Sequence, residues 1–185
     1  SNNIHLIQLR DNYSVYENNA ENFLNSTVLT GNMKAKKFKT SVDEIGYTHT
    51  RYQVTYNNAI VNNTQIIVHS LNGKVVSING DLNSIKEPSN ALILAESKAL
   101  QNALQKVGAK KYKWENQAEE AHMRTALNKP DFSYYPKGEL ILHTKGDKVY
   151  YAYKFTIYAE EPLYRVNVII DAGNGTVLDE ENLIC

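Results

Sequence analysis

Residues 46–82 constrain the fold more strongly than any other stretch of this chain. Segments rich in Thr, Tyr and Val, which favour pleated sheets, alternate there with turn residues. Asn57-Asn58 tolerates the positive φ angles of a tight hairpin, and Asn72-Gly73 is the strongest short hairpin signal in the chain. The stretch therefore predicts a meander of antiparallel strands, at Tyr47–Tyr56, Ile60–Val61, Thr64–Leu71 and Lys74–Ile78.

The segment before the meander predicts a helix and an edge strand. Ser14 and Glu17 have the spacing of a capping box, so we expect a helix from there to Leu29. Residues 33–44 are basic and alternate in character, which is typical of an edge strand protected against pairing with other chains. The basic residues are Lys34, Lys36, Lys37 and Lys39. Binding of an acidic partner is an alternative use of these lysines, but we favour edge protection.

The second half of the chain has helical periodicity first and strand periodicity afterwards. After a polar linker at 83–90, apolar residues at helical spacing predict a helix over Ala91–Val107, capped by Ser89 or Asn90. A more polar helix is expected at Glu115–Leu127, followed by strands at Gly138–Thr144, Val149–Ala159, Leu163–Asp171 and Thr176–Leu178, and by a tail at Asp179–Cys185. This order predicts an α+β fold: an antiparallel meander with an N-terminal helix, then a cystatin-like helix on a curved antiparallel sheet.

The composition excludes several classes of ligand. The chain has 20 Lys and Arg and 20 Asp and Glu, so it lacks the basic excess expected of a protein that binds nucleic acid or an anionic membrane. No apolar run approaches the length of about 20 residues that a membrane span needs. A single cysteine, Cys185, excludes an intrachain disulfide and a zinc site built from cysteines. We therefore expect no nucleic acid, no membrane and no cofactor as a ligand of this chain.

Two parts of the sequence resemble the modules of one family of propeptides. Residues 33–82 resemble the fungalysin/thermolysin propeptide module of thermolysin-like secreted metalloproteases. The residues that carry this resemblance are Gly46, His49, Arg51, Tyr52, Gln53, Thr55, Tyr56, Asn57, His69, Asn72, Gly73 and Gly80. Residues 89–182 resemble a PepSY-type module. The residues that carry this second resemblance are Tyr134–Leu140, Tyr151–Phe155, Val168–Ala172, Gly175 and Val177.

The resemblance implies a prodomain with two modules, residues 1–82 and 83–185. In this family the prodomain precedes a zinc endopeptidase in the precursor, assists its folding and blocks its active-site cleft until the prodomain is cleaved. The implied partner is that catalytic domain, in cis and later in trans, and export from a bacterium is expected. The catalytic motif His-Glu-x-x-His is absent from the 185 residues, so we expect no peptidase activity of this chain itself. The alternative is a free-standing PepSY-like protein that binds and regulates a peptidase in trans.

The candidate functional residues are of two kinds. Contacts with the protease are expected of Arg51, Leu183, Ile184 and Cys185. For Arg51, a place on a solvated sheet face is an equally favoured alternative. The thiolate of Cys185 could also ligate the catalytic zinc, although a processing cut at that residue is the simpler explanation. Structural roles are expected of His49, Tyr52, Gln53, His69, Gly73, Gly80, Asp171 and Gly175. His49 and His69 become cross-strand neighbours if their hairpin is centred near Ala59, and a metal pair is the less favoured alternative for them.

Overall fold

A computed structural model describes residues 6–10, 13–80 and 86–183 of the chain. The fold is α+β, with much more strand than helix. The chain forms two compact units, residues 1–87 and 88–185. Ile184 and Cys185, two of the residues predicted to contact a protease, lie outside the described residues.

In the described part of the first unit, five antiparallel strands form a sheet. They are β1 Leu6–Gln8, β2 Met33–Val42, β3 Tyr47–Tyr56, β4 Ala59–Leu71 and β5 Lys74–Gly80. Within the unit they are arranged in the order β1-β5-β4-β3-β2, which places β2 at an edge. The predicted meander is confirmed with one correction, because Ile60–Val61 and Thr64–Leu71 belong to a single long strand.

The β3–β4 hairpin has both the turn and the histidine pairing expected from the sequence. The turn is at the predicted Asn57-Asn58, next to Ala59, where both residues have positive φ angles of 46° and 68°. Residues 61–64 of β4 interrupt the regular pairing and shift the register beyond them. Because of this shift His49 lies directly opposite His69, as it would in a regular hairpin with a later turn.

The N-terminal helix is shorter and less regular than predicted. It consists of a 3₁₀ turn at Glu17–Asn19, α1 at Ala20–Phe23 and a π-helical turn at Leu24–Val28. The predicted capping box of Ser14 is wrong, since no side chain caps the first turn. The oxygen of Val15 accepts a hydrogen bond from the N–H of Val75 at 2.8 Å, which holds this segment extended along β5. The helix can begin only after the chain has left that strand.

Side chains of the helical segment cover part of the free edge of β2. Asn25 takes the place of a neighbouring strand: its Nδ2 donates to the oxygen of Ala35 at 3.1 Å, and its Oδ1 accepts from the N–H of Ala35 at 2.7 Å. A carboxylate oxygen of Glu21 accepts from the N–H of Lys37 at 3.2 Å. These bonds occupy edge groups that another strand would need, so the lysines are not the only protection of this edge.

In the described part of the second unit, the helices α2 and α3 precede the four strands of the main sheet along the chain. Its described elements are α2 Glu96–Val107, β6 Lys111–Tyr112, α3 Gln117–Leu127, β7 Glu139–Lys145, β8 Lys148–Glu161, β9 Tyr164–Asp171 and β10 Val177–Asn182. The sheet order is β7-β8-β9-β10, and β6 pairs with the distal end of β8. Ala99, Leu100 and Ala103 of α2 form one buried cluster with Phe155 and Val168 of the sheet.

The first helix of this unit begins at Glu96 and not at Ala91. Neither expected cap precedes it, because the side chain of Asn90 pairs instead with the backbone of Tyr151. The N–H groups of residues 93 and 94 both donate to the oxygen of Ala172, which keeps this segment out of the helix. At the other end Gly108 has a φ of 60°, the left-handed conformation in which many helices end.

The final strand is longer than predicted and the sheet is strongly curved. β10 extends to Asn182, so Asp179–Glu181 belongs to the sheet and not to a tail. His143 Nε2 on β7 lies 3.0 Å from Asp179 Oδ2 on β10, although these strands stand at opposite ends of the order. In a flat sheet three strand spacings would separate them by about 14 Å. The sheet must therefore curl to bring its outer strands together.

Candidate protein-interaction site

One face of the first sheet carries most of the motif residues predicted from the sequence. Along β3, the side chains of His49, Arg51 and Gln53 are partly exposed and alternate with buried ones. Tyr52 points to the opposite face, where it is 2% exposed and belongs to the core. Gln53 donates from Nε2 to the oxygen of Val61 at 3.3 Å, which ties it to β4. The face that does not pack on the core therefore presents a row of polar side chains.

The two histidines form a short hydrogen-bonded chain with Asp43. His49 Nε2 lies 2.9 Å from Asp43 Oδ2, and His49 Nδ1 lies 2.6 Å from His69 Nδ1. The hydrogen bond from His49 is the largest cause that lowers the pKa of the Asp43 carboxyl. Burial, followed by the neighbouring His49 and Arg51, lowers the pKa of His69. The cluster therefore favours a neutral His69 beside an ionised Asp43.

Arg51 stands in a group of cations on the same face. Its strand partners are Lys39 on β2 and Ile67 on β4, and Lys34 and Lys36 occupy positions of the same face further along β2. Among the described residues, no carboxylate lies within 4.0 Å of the Arg51 guanidinium. This face therefore has positive charge available for an acidic surface of a partner.

Two predicted motif glycines act through the backbone. Gly73 has a φ of 76° in the turn between β4 and β5, a conformation that L-amino acids with a side chain rarely adopt. A Cβ on Gly80 would lie 3.2 Å from Ile66 Cγ1, so this position requires a close approach of two strands. Both residues shape the meander and neither offers a functional group.

Asp171 and Gly175 form the turn between β9 and β10. Asp171 is 4% exposed, and its Oδ1 accepts hydrogen bonds from the N–H of Gly173 at 2.7 Å, the N–H of Asn174 at 3.1 Å and the Nδ2 of Asn90 at 2.8 Å. Gly175 has a φ of 80°. The carboxylate is thus used to shape its own turn.

The C-terminal contact residues are only partly within the described chain. Leu183 is 36% exposed, and its N–H donates to the oxygen of Arg165 at 2.9 Å. Ile184 and Cys185 lie outside the described residues. A contact of residues 183–185 with a protease, and a bond from the Cys185 thiolate to its zinc, therefore stay predictions.

Sequence reasoning missed a cleft on the face of the second sheet that points away from α2. Its volume is about 470 Å³. The lining residues are Lys129, Asp131, Phe132, Ser133, Tyr134, Tyr135, Pro136, Lys137, Thr156, Tyr158 and Arg165. In the sequence, the segment Tyr134–Pro136 is distinguished only by its resemblance to a PepSY-type module. A single sequence contains no signal that this loop would face Tyr158 of β8 and Arg165 of β9.

A metal site and a membrane span each require an arrangement of residues that can be compared with the described part of the chain. Within residues 6–10, 13–80 and 86–183, no group of three His, Cys, Asp or Glu side chains is placed to hold a metal ion. No described helix is both long enough and apolar enough to cross a membrane. What the described part of the chain offers is a charged sheet face and an aromatic cleft, both suited to contacts with another protein.

Comparison with known proteins agrees with the resemblance of the meander. Residues 36–82 match the model of the Fungalysin/Thermolysin Propeptide Motif. Residues 36–82 therefore form a fungalysin/thermolysin propeptide module, which is a non-catalytic module in precursors of fungalysin/thermolysin-type metalloproteases. The stretch covered by the model includes β3, β4 and β5 and thus the whole histidine cluster.

Similarity to individual proteins extends further along the chain. It is 30% identical over 167 residues to a bacillolysin of Bacillus amyloliquefaciens, and 26% identical over 166 residues to a bacillolysin of Bacillus subtilis strain 168. Each match covers 86% of this chain and 30% of the relative. The chain thus spans about a third of the length of these relatives.

Proposed function

We propose that this chain is the prodomain of a thermolysin-like zinc metalloprotease, and that it assists the folding of the catalytic domain and then inhibits it. The match of residues 36–82 to the propeptide motif carries the proposal. The similarity to bacillolysins supports it, because the match covers most of this chain but only 30% of theirs, as expected of one part of a longer precursor.

The prodomain would consist of two modules, residues 1–82 and 83–185, the second of PepSY type. The division of the chain into compact units at residues 87 and 88 supports this arrangement. The packing of α2 against β8 and β9 supports a cystatin-like layout of the second module. Neither module needs a catalytic residue for the proposed role.

Inhibition in cis requires only modest affinity. A covalently linked prodomain acts at an effective concentration on the order of mM, so a dissociation constant of about 1 µM leaves about 0.1% of the active-site clefts open. Cleavage removes the linkage, and dilution then releases the prodomain. The same weak complex therefore blocks the precursor and frees the enzyme after processing.

The surface that binds the catalytic domain can also assist its folding. A sheet face that binds the native catalytic domain stabilises it relative to its unfolded state and can lower a kinetic barrier to folding. We assign these contacts to Arg51 and to Leu183, Ile184 and Cys185. The partner would be the catalytic domain, in cis and later in trans, and both would be exported from a bacterial cell.

Refolding of the proposed catalytic domain of the same precursor tests the proposal. The domain is unfolded in guanidinium chloride and diluted with or without the chain, and peptidase activity is measured after the chain has been digested. We expect recovery of activity only when the chain is present. Inhibition is measured separately, by adding the chain to folded peptidase.

A matched pair of variants tests the contact role of Arg51. Arg51→Gln removes a cation from the open sheet face, whereas Lys37→Gln removes one from a position paired with the buried Tyr52. We expect weaker inhibition for Arg51→Gln and unchanged inhibition for Lys37→Gln.

If the gene encodes no His-Glu-x-x-His segment beyond this chain, the cis role is wrong and regulation of a peptidase in trans remains.

A further inference from the structure

We propose that the cleft of the second unit binds an extended peptide segment of a partner protein, in which a carboxylate neighbours an aromatic or large aliphatic side chain. The cleft is bounded by residues 129–137 on one side and by Thr156, Tyr158 and Arg165 of the sheet on the other. It contains none of the residues assigned above to contact with a protease. The inference therefore goes beyond the proposed function and does not depend on it.

The walls of the cleft are aromatic. The ring centroids of Tyr134 and Tyr158 are 5.1 Å apart, and those of Phe132 and Tyr134 are 5.0 Å apart in an edge-to-face arrangement. Tyr135, which also lines the cleft, is 52% exposed. Aromatic side chains with free faces provide large contact areas at low cost in side-chain entropy, and they are enriched where proteins bind other chains. This wall suits an apolar side chain of the ligand.

The charges around the cleft favour an anionic ligand. Lys129, Lys137 and Arg165 contribute three cations, and Asp131 contributes one carboxylate. The Arg165 guanidinium lies 4.7 Å from the centre of the Tyr158 ring, which orients it and leaves N–H groups for a carboxylate. A carboxylate bound there can meet Arg165 in a bidentate manner while a neighbouring side chain rests on the rings.

A buried carboxylate holds the loop wall in place before any ligand arrives. Glu120 of α3 is 7% exposed and accepts hydrogen bonds from the Ser133 hydroxyl at 2.6 Å and the Tyr134 N–H at 2.8 Å. Arg124 bonds to Glu120 at 3.0 Å and donates from Nε to the oxygen of Phe132 at 2.8 Å. A wall fixed in this way loses little conformational entropy on binding, which strengthens the binding of a short segment.

The single tryptophan of the chain, Trp114, contacts a residue that lines the cleft. Trp114 stacks on Tyr112 with ring centroids 4.3 Å apart, and its ring meets Tyr135 edge to face at 5.5 Å. A ligand that contacts Tyr135 changes the surroundings of Trp114, so tryptophan fluorescence follows binding without a label.

Titration of the full chain with three capped pentapeptides tests the inference. They are acetyl-Ala-Glu-Phe-Glu-Ala-amide, its analogue with both Glu replaced by Gln, and its analogue with Phe replaced by Ala. We expect a saturable fluorescence change with the first peptide. Binding should be at least about fivefold weaker with each of the others, because one loses its charge contacts and the other its apolar contact, and each loss costs about 1 kcal/mol or more. Equal binding of the first two peptides, or no saturable binding of any, overturns the proposal.

Two cation variants locate the binding within the chain. Arg165→Gln is expected to weaken binding of the first peptide about fivefold, and Lys129→Gln is expected to weaken it to a smaller extent. Lys98→Gln removes an exposed cation of α2 that does not line the cleft, and it should leave binding unchanged. Equal losses for Arg165→Gln and Lys98→Gln would mean that the peptide responds only to net charge, and the cleft assignment would be wrong. Circular dichroism of each variant verifies that the fold is retained.

Discussion

His49 and His69 lie directly opposite each other on β3 and β4, with their Nδ1 atoms 2.6 Å apart. His49 Nε2 meets the carboxylate of Asp43, so it carries a proton. A neutral His49 therefore accepts at Nδ1, and His69 donates its Nδ1 proton to it. Only one of the two rings can be positively charged without loss of this hydrogen bond, because two adjacent imidazolium rings would direct two Nδ1–H donors at each other.

This arrangement predicts that the first unit loses stability in mild acid. Burial, His49 and Arg51 hold the pKa of His69 below its usual value of 6.5. As pH falls below 6.5 the unfolded chain therefore takes up a proton that the folded chain does not, and stability decreases, by at most about 1.4 kcal/mol per pH unit for one proton. Urea unfolding of wild type and His69→Gln, followed by circular dichroism at about pH 7.5 and about pH 5.5, measures the effect.

The expected result is a smaller pH dependence in His69→Gln than in wild type. His122→Gln is the matched control, because His122 is exposed on α3 and bonds to neither histidine of the pair. Its unfolding free energy should depend on pH as that of wild type does. If His69→Gln retains the full loss between the two pH values, the histidine pair is not its origin.

Local signals in the sequence predicted the meander and failed at the starts of the helices. Asn72-Gly73 and the alternation of β3 are short-range features, and both were confirmed. The helix starts were wrong because the segments before them are tied to strands distant in sequence. Val15 bonds to Val75, and Asn90 bonds to Tyr151. No periodicity within a segment records such distant hydrogen bonds.

The buried state of Glu120 illustrates the same limit. Its helix was predicted, but a glutamate among polar helix residues normally faces water. Only the return of the chain at Ser133 and Tyr134 buries it, and this return also creates the cleft. The charged face around Arg51 was easier to foresee, because strand alternation separates it from the buried Tyr52.

Replacement of Glu120 should release the loop wall. The hydrogen bond from Ser133, followed by that of the Tyr134 N–H and by Arg124, lowers the pKa of the Glu120 carboxyl against the opposing effect of burial. Glu120→Ala leaves the Tyr134 N–H without its acceptor and is expected to cost about 2–3 kcal/mol. Glu120→Gln can keep both acceptor contacts and should cost about 1 kcal/mol. Urea unfolding followed by Trp114 fluorescence measures both losses.

Two comparisons test whether Glu120 holds the loop wall in place. Glu180→Ala removes a carboxylate that has an exposed ion pair with Lys106 at 3.3 Å, and it should cost less than about 1 kcal/mol. Because the folded pKa of Glu120 is lowered, its contribution is present at neutral pH and is lost as pH falls through and below its usual value of 4.5. Equal stability of Glu120→Ala and Glu180→Ala would contradict a clamping role.

Gly175 is expected to tolerate alanine poorly for two separable reasons. Its φ of 80° is unfavourable for alanine, and a Cβ there would lie 2.5 Å from Asn102 Nδ2. Gly146 has a φ of 63° with no atom within 4 Å of its Cβ position, so Gly146→Ala measures the backbone cost alone, about 1 kcal/mol. Gly175→Ala should cost at least about 1 kcal/mol more, because Asn102 must give up its 2.9 Å bond to the oxygen of Gly175. Equal losses would show that Asn102 moves freely.

Asn90 joins the segment before α2 to β8 and to the turn between β9 and β10. Its Oδ1 accepts from the Tyr151 N–H at 2.8 Å, and its Nδ2 donates to the Tyr151 oxygen at 3.0 Å and to Asp171 Oδ1 at 2.8 Å. Asn90→Ala removes the side-chain acceptor of the Tyr151 N–H and should cost about 2 kcal/mol. Asn90→Asp keeps that acceptor but places a second carboxylate against Asp171, so at neutral pH it should cost more than the alanine variant.

The stability difference between these two variants should shrink in acid. Protonation of the introduced carboxyl restores a donor and removes the repulsion, so the deficit of Asn90→Asp relative to Asn90→Ala shrinks between about pH 7 and about pH 4. Gln105→Glu adds the same charge at an exposed position of α2 and should show no such recovery. Unfolding followed by Trp114 fluorescence compares all three variants. A constant deficit of Asn90→Asp across this range would mean that its cost is steric, and that the hydrogen bond to Asp171 contributes little to closing the turn.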